Sequence, residues 1–127
     1  MTKIIAEIGW NHMGDIKLAK KMIMEAKKNG ADLVKTQIFN TKNLKNGPWD
    51  KDGRREIYEK AELNKKKFKK LYDYSKKIKC EFFASAMSVE DAKLIKEINN
   101  NIIKIPSMES RNHKLIDYCS KNFKNII

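Results

Sequence analysis

The stretch A-E-I-G-W-N-H-M-G-D at residues 6–15 is followed, one helical segment later, by G-A-D-L-V-K-T-Q at residues 30–37. They place Glu7, and then Lys35 and Gln37, at the ends of two apolar runs. Strands joined by a single crossover helix run parallel, so their ends emerge on the same side of the sheet. Glu, Lys and Gln therefore converge at the edge where β/α folds place their chemistry.

Working outward, residues 3–9 read as a buried strand. Asp15 is placed to cap a helix whose apolar face is Ile16, Ala19, Met22, Ile23 and Ala26, spaced by three and four. Asn29-Gly30 supplies its stop, and residues 31–39 form the second strand. Residues 40–63 make a long connection containing Gly47-Pro48, Trp49 and Gly53, then an amphipathic piece around Ile57, Tyr58 and Ala61. A βα connection of that length is more often functional than idle. Asn64 opens a helix with Phe68, Leu71, Tyr72 and Ser75 on one face, and residues 80–85 are a third strand. Ser88-Val89-Glu90-Asp91 resembles a capping box with Asp in the last position, ahead of a helix burying Ala92, Leu94, Ile95 and Ile98. Residues 101–106 read as a fourth strand. Asn112 starts a helix through Leu115, Ile116 and Cys119, and Asn125-Ile126-Ile127 opens a fifth strand. Four βα units and the start of another strand imply an α/β fold with a parallel sheet. Such a chain reads as residues 1–127 of one larger (β/α)8 barrel domain of TIM-barrel type, cut within strand five.

Composition narrows the function. At 127 residues, 41% of them hydrophobic, the chain has material for one core, without an apolar run long enough to span a bilayer and without a signal-peptide pattern. Cys80 and Cys119 lack metal or redox spacing and suit reduced thiols in the cytoplasm. The net charge of +12 attracts anions in general. The lysines, however, fall in runs such as Lys65-Lys66-Lys67 and Lys76-Lys77 on helical segments, with acids scattered between them. That pattern reads as solvated helix faces, and no nucleic-acid-binding module accompanies it.

The strand ends, read in order, carry Glu7, then Lys35 and Gln37, then Ser85, then Lys104 with Ser107 and Glu109. Two ammonium groups facing hydroxyls suit a phosphorylated, doubly anionic ligand. Structural readings stand beside these. Glu7 suits a buried ion-pair partner for Lys35, Ser107 a cap for the turn after strand four, and Glu109 an exposed loop acid. His12 is a candidate metal ligand, but no second ligand is spaced to join it, and a histidine bonded to neighbouring backbone is the favoured reading. His113 reads as a surface residue. Trp49 serves either as a packing anchor or as a platform for a sugar.

Taken together, A-E-I-G-x-N-H-x-G-D, G-A-D-x-V-K-x-Q and the later K-I-x-S-x-E resemble the N-terminal half of the sialic acid synthase family, in the same order and through essentially the whole chain. The resemblance implies condensation of phosphoenolpyruvate with N-acetylmannosamine or a related amino sugar, releasing phosphate. By position, Lys35 and Lys104 match phosphoenolpyruvate-binding lysines and Ser107 a serine beside the phosphate. Ser85 matches a threonine, Gln37 and Glu109 match sugar-contacting positions, and Glu7 matches an acid near the reacting carbons. The chain departs from the pattern at Ala84-Ser85-Ala86-Met87, where the family has an S-T-P-F-like run. It departs again at Pro106, in place of a small residue, and at Met108, in place of glycine.

The resemblance further implies a divalent metal, Mn or Mg, held by histidines of later barrel strands. It implies a homodimer in which a C-terminal antifreeze-like domain adds an arginine to the partner's site. Neither region is in these 127 residues, so the chain alone is expected to be inactive. The rival readings are a related phosphoenolpyruvate-dependent aldol-type synthase acting on a phosphosugar, and a non-catalytic basic binding fragment.

Overall fold

A computed structural model describes residues 2–127. The sequence alternates strand and helix as its apolar spacing requires. β1 (Ile5–Gly9) leads to α1 (Ile16–Lys28) and β2 (Leu33–Ile38). After β2 come short 3-10 turns at Thr41–Asn43 and Pro48–Asp50, then α2 (Arg54–Ala61) and α3 (Lys65–Lys77). β3 (Glu81–Ala86), α4 (Val89–Lys96), β4 (Ile102–Ile103), α5 (His113–Asn122) and β5 (Asn125–Ile126) complete the order.

The helix starts are chemical. Asp15 accepts from the Lys17 and Leu18 amides at 2.7 and 3.2 Å, Asn64 from Lys67 at 2.9 Å, and Asn112 from Leu115 at 3.1 Å. Each satisfies amide donors that the first helical turn leaves without a partner. Ser88 accepts from the Asp91 amide at 3.1 Å and donates its hydroxyl proton to the Asp91 carboxylate at 2.8 Å.

All ladder pairs are parallel. β1 pairs with β2, β2 with β3, and β4 with β5. The Ser85–Lys104 bridge joins the two groups, with the Lys104 amide donating to Ala84 O and the Ala86 amide to Lys104 O, both at 3.1 Å. The register aligns Glu7 with Lys35 and Phe83, and Gln37 with Ser85 and, across the bridge, Lys104. Side chains alternate along a strand, so the two faces separate cleanly. Ile8, Val34, Ile38, Phe82, Ala84 and Ile103 join the helices' Ile23, Phe68, Leu71, Ile95 and Leu115 in the main core. Leu33, Phe83 and Ile102 form a second, smaller cluster on the other face, below the polar row.

Three strands are shorter than the sequence suggests, β1 beginning only at Ile5. Ala31 and Asp32 belong to the turn before β2, where the Asp32 carboxylate accepts from the Ile4 amide at 2.7 Å and the Asp32 amide donates to Ile4 O. β4 is regular strand only at Ile102–Ile103, with Lys104 held by its bridge to Ser85; the chain then meets Pro106, which has no amide proton for a ladder, and turns into a 3-10 segment at Ser107–Glu109.

Gly14, in the turn between β1 and α1, has φ +76°, and a Cβ there would collide with the Lys60 carbonyl at the end of α2. Gly30 also has positive φ, +92°, but opens onto free space. Alanine at Gly30 is therefore expected to cost only the left-handed backbone strain, about 1 kcal/mol, and alanine at Gly14 roughly 2–3 kcal/mol because α2 must also move. Urea unfolding of the two variants checks this; equal midpoint shifts would contradict the contact.

Candidate active site

The polar face of the sheet is built around Lys35. Its side chain is 5% exposed and forms an ion pair with Glu7, whose own side chain is 45% exposed. An ammonium so deeply placed requires a partner, because the lost hydration is not otherwise replaced. Glu7 is held from a second side by the Gly9 amide, which donates to its Oε1 at 2.8 Å. That amide is aimed by an irregularity in β1: the register skips Ile8, and Gly9 takes φ +53°. The buried Thr36 hydroxyl donates to Gly9 O at 2.8 Å and fixes the distortion from β2. Glu7 is thus the ion-pair partner of Lys35, but a half-exposed one, with a face left for solvent or ligand.

Next to this pair, Gln37, Ser85 and Lys104 share one register row. Ser85 is buried and Lys104 is half-buried. Lys104 has no carboxylate partner among the described residues, so its positive charge is uncompensated where that of Lys35 is matched. The structure therefore brings Glu7, Lys35, Gln37, Ser85 and Lys104 to one face.

Glu109 lies apart from this row, in the wall of a cavity of about 420 Å³ that Gln37 also lines. The reading of Glu109 as an exposed acid fails: the residue is 7% exposed, accepts from Asn112 Nδ2 at 2.8 Å and pairs with Lys45 at 3.6 Å. Ser107 is exposed, and Pro106, not Ser107, occupies the cap position of its turn. It does not line the cavity.

The cavity forms where the long connection folds over the ends of the strands. Tyr58 stacks edge-on against Trp10 and Phe39 and lies against Trp49, with ring centroids 5.4, 6.0 and 5.5 Å apart. Arg55 covers the Trp49 ring at 4.9 Å, and Trp49 Nε1 donates to Lys45 O at 2.9 Å. Trp49 is accordingly both a packing anchor and a cavity wall. Glu62 accepts from the Thr41 amide at 3.0 Å and its hydroxyl at 2.9 Å, tying the two ends of the connection together. Sequence reasoning missed Trp10, Phe39, Arg54 and Asp91 as cavity residues. Trp10 sat inside the deciding motif, at a position that carries no pattern of its own. Met87 and Met108, two of the departures from the family pattern, both line the cavity.

His12 is fully buried, and its Nδ1 accepts from the Gly14 amide at 3.0 Å. The proton is therefore on Nε2, which has no partner among the described residues. Burial lowers its pKa, the strongest of the influences on it, so the ring is neutral. It is bonded to neighbouring backbone, and the described residues contain no group of three His, Cys, Asp or Glu able to hold a metal ion. His113 is exposed. Burial raises both cysteine thiols, that of Cys119 to about 11, so neither is a nucleophile at neutral pH.

With this geometry in hand, comparison with known proteins places the chain. Residues 22–127 match the model of the NeuB family. The chain belongs to the NeuB family. It is 36% identical to the N,N'-diacetyllegionaminic acid synthase of Campylobacter jejuni, over 99% of this chain and 41% of that protein. It is 32% identical to the N-acetylneuraminate-9-phosphate synthase of Mus musculus, over 98% of this chain and 37% of that protein. A crystal structure of the N-acetylneuraminic acid synthetase of Leptospira borgpetersenii in complex with citrate superposes with a TM-score of 0.82 at 33% identity, covering 94% of this chain and 41% of that one. The chain thus spans about two fifths of the length of these relatives, and its five parallel strands have the TIM-barrel-type fold of the sialic acid synthases. No helix among the described residues is long and apolar enough to cross a membrane.

Asp91, in the cavity wall, is buried, and desolvation pushes its carboxyl up to about 6 against the pull of the Ser88 hydroxyl. A carboxyl raised by folding contributes stability in full below about pH 4 and loses it as pH rises through about 6. Asp91→Asn is expected to gain on the parent by up to about 2–3 kcal/mol between roughly pH 4 and pH 7, from a shift near two units. Urea unfolding at both pH values tests this; a constant difference would mean that Asp91 is not desolvated.

Proposed function

We propose that this chain supplies the phosphoenolpyruvate side and part of the sugar side of a nonulosonic acid synthase. The supporting observation is the register that sets the Glu7–Lys35 pair beside the Gln37–Ser85–Lys104 row, on the face opposite the helices. Membership of a family whose members include named synthases of this type supports the same reading.

In this reading phosphoenolpyruvate lies along the row. Lys104 and Lys35 hold its anionic groups, and Ser85 and Ser107 orient them through charge-assisted hydrogen bonds. Gln37 and Glu109 address the sugar, whose open-chain aldehyde meets C3 of phosphoenolpyruvate. Water adds at C2, and the resulting tetrahedral centre expels phosphate by breaking the C–O bond. Glu7 is a half-exposed carboxylate fixed by Lys35 and Gly9, which suits it to positioning that water or taking its proton. The divalent metal implied by the family resemblance does not fit the described residues, which offer no ligand cluster for it. Its ligands would come from elsewhere, as would the rest of the barrel, the antifreeze-like domain and the dimer partner. Binding of phosphoenolpyruvate is the part of the reaction that the described residues would supply.

Binding is thus the appropriate test. Phosphoenolpyruvate titrated into the chain and followed by calorimetry should bind at least about tenfold more weakly to Lys104→Ala, which removes the uncompensated ammonium. Undiminished binding by that variant, or no binding by the parent, would overturn the assignment.

A further inference from the structure

His12 has no role in the chemistry above, yet the turn it braces holds the carboxylate at its centre. The chain leaves β1 through successive tight turns. The Asn11 amide donates to Ile8 O at 3.1 Å, the Met13 amide to Trp10 O at 3.0 Å and the Asp15 amide to His12 O at 2.8 Å. Gly9, Met13 and Gly14 all take left-handed backbone, at φ +53°, +50° and +76°. Methionine adopts that conformation only at a cost, so the turn has to be held in place. The His12 ring does this. It is fully buried, and the only hydrogen bond it makes among the described residues is the one its Nδ1 accepts from the Gly14 amide at 3.0 Å. Gly9 faces the same ring through its backbone. The Gly9 amide in turn holds Glu7 Oε1 at 2.8 Å, leaving Oε2 for Lys35.

We infer that His12 is a positioning residue for the Glu7 carboxylate, acting through Gly9, and that a proton taken up at Nδ1 releases the turn and weakens the site's hold on anions. This rests on the reading of Glu7, Lys35 and Lys104 given above. An imidazole accepts at Nδ1 only while that nitrogen keeps its lone pair; once protonated, it presents an N–H to the N–H of Gly14. The bond is lost, and a charged ring is left buried without a partner. As the turn relaxes, the Gly9 amide withdraws. Both Glu7 oxygens are then free to close on the Lys35 ammonium and shield it from an incoming anion. Lys67, from α3, opposes a proton on the ring, and Asp15, at the start of α1, favours one. Glu7 and Lys35 lie beyond Gly9 and balance each other, and α2 meets the turn through the Lys60 carbonyl, against Gly14. Burial is the strongest influence and keeps the ring uncharged at neutral pH, so release comes in mild acid, below the ordinary histidine range.

The test is calorimetric titration of phosphoenolpyruvate into the 127-residue chain at about pH 7.5 and about pH 5.5, on either side of the ordinary histidine value, with His12→Asn alongside. Asparagine offers Gly14 an amide oxygen in place of Nδ1 and takes up no proton. On acidification the parent should lose at least about fivefold more affinity than His12→Asn. Protonation of the ligand's phosphate and of Asp91 is common to both proteins and cancels. In nitrogen–proton NMR the Gly9 and Gly14 amide signals of the parent should move together with one midpoint, and those of His12→Asn should not. Equal pH dependence in the two proteins, a Gly9 signal that ignores the Gly14 midpoint, or collapse of every amide signal at once would overturn the inference. Lys104→Ala at neutral pH tests the phosphoenolpyruvate reading by itself. If no ligand binds, that reading fails, while the Gly9 and Gly14 signals still decide the role of His12.

Discussion

An ammonium group inside a β-sheet leaves the chain little freedom. Lys35 stands between Val34 and Thr36, both fully buried, and is itself 4% exposed. It is tolerable there because Glu7 occupies the matching position on the neighbouring strand. A slip of one residue would turn Lys35 into the helix-side core and Val34 onto the polar face. The ion pair and the apolar alternation therefore demand the same register. That register in turn fixes which face Gln37, Ser85 and Lys104 share. The β1 irregularity, the Gly9 amide and the Thr36 hydroxyl all serve to keep the Glu7 carboxylate at this meeting point.

The cavity has a different physical origin. It is made by a connection that contributes little to the main core and is ordered instead by polar ties and aromatic edges. Glu62 closes it onto Thr41, Asp50 accepts from the Gly47 amide at 2.9 Å, and Tyr58 gathers three other rings. Such contacts offset the entropy of ordering a long loop without burying it fully. The result is a wall with apolar surface and exposed polar groups side by side, next to the rigid row on the sheet.

Much of this was legible beforehand. Asp15, Asn64, Ser88 and Asn112 announced their helices because capping is a local exchange of side chain for backbone, needing no distant partner. The spacing of Ala19 and Ile23, or of Phe68 and Leu71, revealed buried faces for the same reason. Strand ends were less readable: Ala31 and Asp32 carry nothing that separates a strand residue from the turn before it. The alternative that made Glu109 an exposed loop acid fails because its surroundings come from Asn112 and from Lys45, 64 positions earlier in the chain. The alternative that made Ser107 a cap fails as well, since Pro106 takes that position.

What the amino-acid sequence determined by itself was the alternation of strands and helices, the parallel direction of the strands and the set of polar residues at their ends. These follow from spacing, caps and connection lengths, all of them short-range constraints. Only the tertiary structure decided which of those polar groups meet. It paired Lys35 with Glu7, left Lys104 uncompensated, moved Glu109 into a separate wall and set Trp10 and Asp91 beside it. Charge compensation and burial are properties of positions in space, and a long connection folding over the sheet brings together residues that no sequence interval relates.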